Sequence, residues 1–424
     1  MKKSIRLILI SLISFLTLIS CASTPDNTAK SQWALKSVYL STINNREINS
    51  REKWIDADLK IENKNYKIQV KGRGNSSWGR MPKHSFSIKF SDSTKMLDMN
   101  KSKRWVLISN YSDKTLIRNQ YAEYLGRNIF TNIGWTPTYR QVNLFLNNKY
   151  QGTYLLGEQI KLEKNRLKIQ PINNIKEDIN KDGKTDIKDG GFIFEINRRE
   201  DEAYNFRTTH DVSISLKDPD EVGPKTQARI RSIIQTAEDA LFSKNYKDPN
   251  KGYAKYFDVD SLVDWYIINE FSKNVDSAWY SSIYLYYDPA DEKIHFGALW
   301  DYDLGFGNVN YNDCFKTEKF YIMTRSVWFS RLFLDPAFKA KVRDRWNAKK
   351  GELKKSINSQ IDKLASKVED SAEYNFQVWP ILGTYVWPNA DGFEKRLTYK
   401  SEVEYMKDWC TKRYNWMNSV IAKW

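Results

Sequence analysis

Short runs of β-branched and aromatic residues recur between residues 33 and 160, with turn-forming residues between them. Alternation of apolar and polar positions over four to eight residues is typical of β-strands. The pattern predicts strands over 54–61, 66–71, 85–90, 105–109, 141–145 and 153–156. Asn147-Asn148-Lys149 is a hairpin signal between the last two. Apolar residues at helical spacing predict one helix over 114–128.

The second half of the chain has mainly helical periodicity. Helices are predicted over 226–242 and 259–270, and amphipathic, Lys- and Glu-rich helices over 328–370 and 395–422. A strand pair over 283–287 and 294–299 interrupts them, joined by Asp288-Pro289-Ala290-Asp291. A strand-rich region followed by a helix-rich region predicts an α+β chain.

The first 20 residues have the pattern of a targeting segment. Lys2, Lys3 and Arg6 form a basic start to the segment, and the apolar stretch 5–19 is too short to remain as a membrane span. The stretch ends at Leu18-Ile19-Ser20-Cys21, which is similar to a bacterial lipobox. We therefore expect a signal peptide over 1–20, lipidation of Cys21, and a membrane-anchored lipoprotein of the cell envelope. The alternative is ordinary secretion with an incidental Cys21.

Residues 22–32 are small and polar, which predicts a flexible tether. The net charge of +15 favours an anionic partner, but the basic residues are scattered and no nucleic-acid-binding fingerprint is present. We expect a monomer that does not bind nucleic acid. The 14% aromatic content fits a large core or rings that line a cleft. An exported protein can form disulfides, and the sequence does not decide whether Cys314 and Cys410 form one.

Three aspartates flank the predicted strand pair. Asp276 precedes it, and Asp301 and Asp303 follow it in Trp300-Asp301-Tyr302-Asp303-Leu304-Gly305. A hairpin can bring residues at its two ends to one edge of a cleft, where carboxylates can hold Mg²⁺ and accept the proton of an attacking hydroxyl. The alternative is that Asp276 lies in a turn while the other two cap a helix or face water.

A polar, glycine-rich loop lies between two predicted strands. It contains Arg73, Gly74, Asn75 and Ser76, and Lys83 follows. Backbone N–H groups, hydroxyls and cations of this kind can contact phosphate, although the loop is neither a Walker A nor a G-x-G-x-x-G sequence. A hairpin connection with incidental charge is the alternative.

Several motifs together resemble the CotH kinase family. They are R-G-N-S-S-W at 73–78, K-x-S-F-S-I-K at 83–89, N-Y-S-D at 110–113 with R-N at 118–119, G-T-Y at 152–154 leading to Glu158, G-F-I-F-E-I at 191–196, L-W-D-Y-D-L-G-F-G at 299–307, and Y-N-F and W-P at 374–376 and 379–380. The resemblance covers roughly residues 35–415.

This resemblance implies a divergent, two-lobed protein-kinase-like fold. Its expected parts are a β-rich lobe over 33–223 and a helical lobe over 224–424 that carries the catalytic hairpin 274–307. It implies ATP and Mg²⁺ as cofactors and Ser or Thr of exported proteins as acceptors. Asp276 matches the catalytic position and Asp301 a metal-binding position. Ser281 stands where a standard kinase has a metal-binding Asn, so Asp303 is the candidate second ligand.

Other functions remain open at this point. An inactive pseudokinase or a nucleotidyl transferase could use the same site. A non-enzymatic surface lipoprotein could instead hold carbohydrate or a protein partner with its aromatic residues.

Residues 178–189 match a calcium-binding loop. Oxygen ligands are expected at the loop's alternate positions, with Gly183 at the turn. The candidate ligands are Asp178, Asn180, Asp182, Lys184 (through its carbonyl), Asp186 and Asp189. The pattern predicts a structural Ca²⁺ site; the alternative is an acidic loop without metal. His84, His210 and His295 share no metal-ligand spacing.

Overall fold

The computed structural model describes residues 35–172 and 190–424. The predicted signal peptide, Cys21, the tether and the calcium loop with Asp178, Asn180, Asp182, Lys184, Asp186 and Asp189 lie outside the described residues. No helix within the described ranges is both long and apolar enough to cross a bilayer.

The N-terminal strands form a closed seven-stranded barrel in the order β1-β2-β3-β4-β5-β7-β6. Neighbours pair antiparallel, except that β1 pairs in parallel with β6, for example Val38 with Leu144. Alternate residues, among them Val38, Val70, Ile88 and Trp105, point into a fully buried interior core. The strands are β1 (Lys36–Thr42), β2 (Ile55–Ile61), β3 (Lys64–Arg73), β4 (Ser85–Thr94), β5 (Ser102–Ile108), β6 (Tyr139–Leu146) and β7 (Lys149–Glu158).

A second sheet has five strands in the order β12-β11-β8-β10-β9. An apolar cluster that includes Val106, Tyr139, Ile193 and Trp300 packs this sheet against the outside of the barrel. The strands are β8 (Phe192–Ile196), β9 (Asn205–Arg207), β10 (Ser213–Asp218), β11 (Ile283–Asp288) and β12 (Lys293–Phe296).

The C-terminal part is mainly helical. The almost entirely buried α4 lies in the largest core cluster, and α7 and α8 pack on each other. The helices are α1 (Ser76–Arg80), α2 (Arg118–Tyr124), α3 (Pro224–Phe242), α4 (Val259–Ser272), α5 (Ile322–Arg325), α6 (Val327–Leu332), α7 (Pro336–Val378) and α8 (Tyr399–Ile421). A π-helical turn, Leu125–Ile129, continues α2. The described residues form one compact unit.

The predicted two-lobed kinase-like fold is wrong. The N-terminal strands do not form an open lobe sheet, because β1 closes them into a barrel by pairing with both β2 and β6. The second sheet then combines β8–β10, from the expected N-terminal lobe, with β11 and β12 from the expected helical lobe. Pairing between distant segments decided this architecture.

The hairpin prediction at Asn147-Asn148 is confirmed. Both residues have positive φ, 49° and 63°, and Leu146 pairs with Lys149 across the turn. Two consecutive residues in the left-handed region are what a tight hairpin turn needs, and asparagine tolerates them. Cys314 and Cys410 are both buried and are not joined to each other.

Candidate active site

A cavity of about 690 Å³ lies between the outer face of β3–β5 and the second sheet. It brings together most of the predicted site residues: Arg73, Gly74, Asn75, Ser76, Asp276, Asp301 and Asp303 all line it. The expectation that residues at both ends of the hairpin meet in one cleft therefore agrees with the geometry.

The end of α4 positions Asp276. Asp258 caps the start of this helix by accepting from Ser261 N at 2.7 Å, and the helix ends at Lys273 in the left-handed conformation, φ 44°. The chain then turns through Val275–Ser277, and the carbonyl of Asp276 accepts from Tyr280 N at 3.0 Å. These backbone contacts leave the carboxylate of Asp276 in the cavity wall.

The loop after β12 presents Asp301 and Asp303. Asp301 has φ 65°, a strained conformation for a residue that is not glycine. Asn274 Nδ2 donates to the Asp301 carbonyl at 3.1 Å, and Ser282 Oγ donates to its carboxylate at 3.3 Å. Ser112 Oγ donates to Asp303 Oδ2 at 3.3 Å.

The Arg118-Asn119 pair holds this loop from the barrel side. Asn119 Oδ1 accepts from Tyr302 N at 2.8 Å, and Arg118 Nε donates to the Gly305 carbonyl at 3.2 Å. Arg118 also forms a fully buried ion pair with Asp113 at 2.5 Å. The motif residues at 110–119 and 299–307 thus form one connected support for the aspartates.

Burial and the charges of neighbouring aspartates raise the pKa of Asp276 and of Asp303. Burial, together with the nearby charge of Asp301, raises the pKa of Asp276 to about 7, although Arg199 opposes the shift. Burial raises the pKa of Asp303 well above its usual range, and the charges of Asp301, Asp113 and Asp276 add to the shift. Carboxylates that resist ionisation in this way gain free energy from a bound cation.

The residues present fit a divalent cation. Asp301 and Asp303 offer carboxylates, and the buried Oδ1 of neighbouring Asn274 accepts no hydrogen bond from any described residue. No group of three or more His, Cys, Asp and Glu within the described ranges has a metal-binding arrangement. Mg²⁺ commonly uses only one or two carboxylates and completes its shell with phosphate and water, so these two carboxylates suffice for it.

The glycine-rich loop lines the same cavity as the aspartates. The Arg73 guanidinium stands 5.0 Å from the Trp300 ring centre, and Asp301 acts electrostatically on it. Arg51 donates to the Gly74 carbonyl at 2.9 Å and to Asn75 Oδ1 at 2.6 Å, which holds the loop in place. Arg73 and the loop are thus available to a phosphate in the cavity.

Lys83 is not brought to the cavity. Its buried Nζ donates to the Thr153 carbonyl at 2.6 Å and to Asn375 Oδ1 at 2.8 Å. Asn375 Oδ1 also accepts from Thr153 N at 3.0 Å, and Trp379 Nε1 donates to the Gln151 carbonyl at 2.9 Å. These motif residues tie the barrel to α7, and the predicted phosphate contact of Lys83 has no structural support.

Sequence reasoning missed a partly buried ion pair in the cavity. Lys217 on β10 lies 3.1 Å from Glu195 on β8 and also contacts Glu202. Burial disfavours the charge of Lys217, but Tyr284, Glu195 and Glu202 together raise its pKa. Glu195 Oε1 also accepts from Ser282 N at 2.7 Å, which connects the pair to the segment after Asp276. Glu195 was visible in the 191–196 motif, but nothing in the sequence signalled Lys217.

Comparison with known proteins identifies the family. A family model described as CotH kinase protein matches residues 68–417, well over half of the chain. A search of the curated proteins finds no match. The matched range includes Arg73, the three aspartates and the Glu195–Lys217 pair. The chain belongs to the CotH kinase family.

Proposed function

We propose that this protein is an atypical kinase that transfers the γ-phosphate of ATP to Ser or Thr of an exported protein, with Mg²⁺. The observation that carries the proposal is the convergence of Asp276, Asp301 and Asp303 opposite Arg73 in one cavity of a CotH kinase family member. Phosphoryl transfer depends chiefly on positioning and on neutralisation of charge, and this arrangement supplies both.

Each cavity residue has a proposed role. Asp301 and Asp303 hold the metal, and Arg73 with residues 74–76 binds phosphate oxygens. Bound Mg-ATP supplies the phosphoryl group and neutralises the charge on its oxygens. Asp276 accepts the proton of the acceptor hydroxyl, and a pKa of about 7 suits a base that works near neutral pH. The Lys217–Glu195 pair holds the segment after Asp276.

Label transfer from ATP tests the proposal. The full chain is incubated with Mg²⁺, exported proteins as acceptors and ATP labelled at either the γ- or the α-phosphate. We expect label on protein from the γ-position alone, and its loss when Mg²⁺ is chelated. Label from the α-position would mean nucleotidyl transfer. No nucleotide binding, together with glycan binding, would mean a non-enzymatic surface protein.

We also propose that the protein is a membrane-anchored lipoprotein of the cell envelope. The support is the sequence before Cys21: a basic start, a short apolar stretch and Leu18-Ile19-Ser20. Cys21→Ser should move the protein from the membrane fraction to the soluble extracytoplasmic fraction, with loss of incorporated labelled fatty acid. Equal membrane association of the variant and the wild type would contradict the anchor.

A further inference from the structure

The outer face of the barrel carries a group of cations around one indole ring. The Nζ atoms of Lys71 and Lys89 lie 5.0 and 5.9 Å from the Trp54 ring centre, and the Arg104 guanidinium lies 5.1 Å from it. Strand register explains the grouping, because Lys89 on β4 pairs with Arg104 on β5, and Lys71 on β3 pairs with Ser87, two residues before Lys89. We call Lys71, Lys89, Arg104 and Trp54 the cationic strip.

These three cations have no close anionic partner among the residues that the structure describes. Within the described ranges, none of their side chains makes a hydrogen bond, and none has a carboxylate oxygen within 4.0 Å. Burial lowers the pKa of Lys71, and the charge of Arg104 lowers it further, while Glu202, Asp220 and Glu52 act in the opposite direction. Like charges held together at partly buried positions are unfavourable, and an anionic ligand would relieve the repulsion.

The acids on the facing wall already have partners of their own. Glu202 contacts Lys217, Asp220 lies 2.6 Å from Lys161, and Asp201 accepts from Asn197 Nδ2 at 2.8 Å. They therefore do not neutralise the strip at ion-pair distance.

The position of the strip separates it from the proposed nucleotide contacts. Arg73 stands 5.0 Å from the Trp300 ring centre and is affected by the charge of Asp301, whereas Lys71 lies two residues earlier on β3, about 7 Å from Arg73 along the strand. Lys71, Arg104 and Trp54 line the cavity. Lys89 does not line it and instead borders a separate depression on the outer surface of the barrel. A ligand that contacts all three cations must extend out of the cavity, which suits a polypeptide better than a compact nucleotide.

We propose that the cationic strip docks an acidic segment of the acceptor protein, through carboxylate or phosphate side chains, next to the catalytic aspartates. This inference rests on the proposed kinase function and adds the class of acceptor. Arg104 and the lysines would bind the anions, and the segment would lead from the barrel surface into the cavity. The acceptor hydroxyl then lies a few residues away from the acidic stretch.

Peptide binding to the full chain tests the strip without requiring catalysis. Three fluorescein-labelled peptides share one Ser-containing core and differ in the flank: a glutamate run, the same run as glutamine, or phosphoserines. We expect the first and third peptides to raise fluorescence anisotropy in a salt-sensitive way, and the glutamine peptide not to do so. K71Q/R104Q should weaken binding of the glutamate peptide by about tenfold.

Matched variants separate a site from general charge. K101Q/K103Q removes the same charge from exposed positions before and within β5, and should bind the peptide like the wild type. K71R/R104K keeps both charges and should retain most of the affinity. Equal losses in K101Q/K103Q and K71Q/R104Q, or equal binding of the glutamine peptide, would overturn the proposal.

Nucleotide affinity distinguishes the two proposals. We expect K71Q/R104Q to bind ATP within about twofold of the wild type, because Arg73 and the loop remain. A tenfold loss of ATP affinity would assign the strip to the nucleotide and overturn the acceptor proposal. If the peptide binds but no peptide is phosphorylated, the kinase proposal fails while the docking surface stands.

Discussion

Burial of Asp276 disfavours its ionised form, which lowers stability near neutral pH but gives the carboxyl group a pKa that suits the proposed base. Its carboxylate lies in the cavity wall near Asp301, and burial together with that charge raises its pKa to about 7. The folded protein therefore binds a proton there that the unfolded chain has already lost at the same pH. Stability should fall as pH rises from about 4, where an ordinary aspartate ionises, to about 7, where Asp276 ionises in the folded state.

Asp276→Asn should strongly reduce transfer and stabilise the fold. Without the base we expect phosphorylation to fall by about 10²–10⁴-fold, with ATP affinity nearly unchanged. The neutral amide avoids the cost of the buried charge, so Tm should rise by about 2–5 °C at pH 8 and by less at pH 5. Label transfer and thermal denaturation without Mg²⁺ measure the two effects.

The control for Asp276→Asn is Asp92→Asn, at an exposed position on β4. It should change neither activity nor the pH dependence of Tm. Full activity of Asp276→Asn would remove this residue from the mechanism. A Tm difference that does not depend on pH would show that burial does not disfavour its ionisation.

Local motifs pointed to several residues that the structure places in one cavity. Asp276, Asp301, Asp303 and Arg73 could be singled out because carboxylates and a cation around a hairpin and a loop have a recognisable pattern. Lys83 was assigned to phosphate from the same kind of pattern, yet it contacts Thr153 and Asn375. A lysine near a loop has the same sequence context whether its side chain turns inward or outward.

At the level of elements, α4 carries the segment that contains Asp276, and a buried ion pair anchors it. Glu270 near its end accepts from the backbone of Tyr321, Ile322 and Met323 at 2.6–3.1 Å, at the start of α5. Arg413 on α8 pairs with Glu270 at 2.8 Å, and both side chains are fully buried. Arg413 also donates to the carbonyls of Thr317 and Lys319.

Arg413→Lys should destabilise the protein by about 2–4 kcal/mol. Lysine keeps the charge but cannot reproduce the planar fork of donors. It therefore cannot make all the hydrogen bonds that Arg413 donates to the Glu270 carboxylate and to the buried backbone carbonyls. Urea unfolding monitored by circular dichroism measures the loss. Lys412→Ala, which removes an exposed pair with Asp408 on the same helix, should cost less than about 1 kcal/mol. Similar losses in both variants would show that the buried network adds little.

Most elements could be predicted from local patterns. The helix predicted over 259–270 is Val259–Ser272, and the strand predicted over 85–90 is Ser85–Thr94. Strands β1, β8, β9 and β10 lie outside the strand ranges predicted above. Of these, β9 has only three residues, which is too short for a periodic signal.

At the scale of the whole molecule, β1 determines the architecture. Its parallel pairing with β6 and antiparallel pairing with β2 leave no open edge in the barrel. The outer face of the closed barrel then forms one wall of the cavity, and the second sheet forms the other. Closure thus supports the site, although β1 contributes no residue to the cavity lining.

Deletion of residues 33–46 should therefore disrupt more than the strand itself. Opening the barrel exposes the edges of β2 and β6 and the interior core, so we expect aggregation on size-exclusion chromatography and loss of a cooperative thermal transition. Deletion of the predicted tether, residues 22–32, is the matched control and should leave Tm unchanged. A monomeric 33–46 deletion variant with the wild-type Tm would contradict the role of closure.

The sequence by itself determined the family, most helices and strands, and the residue types of the site, because each of these depends on short-range patterns. The export signal, Cys21 and the calcium loop at 178–189 stay predictions of the same local kind. Tertiary structure decided the closed barrel, the mixed second sheet, the inward turn of Lys83, the Lys217–Glu195 pair and the cationic strip. All of these depend on which distant segments pair and in which register. The hydrophobic periodicity of a single segment does not specify the segment with which it pairs.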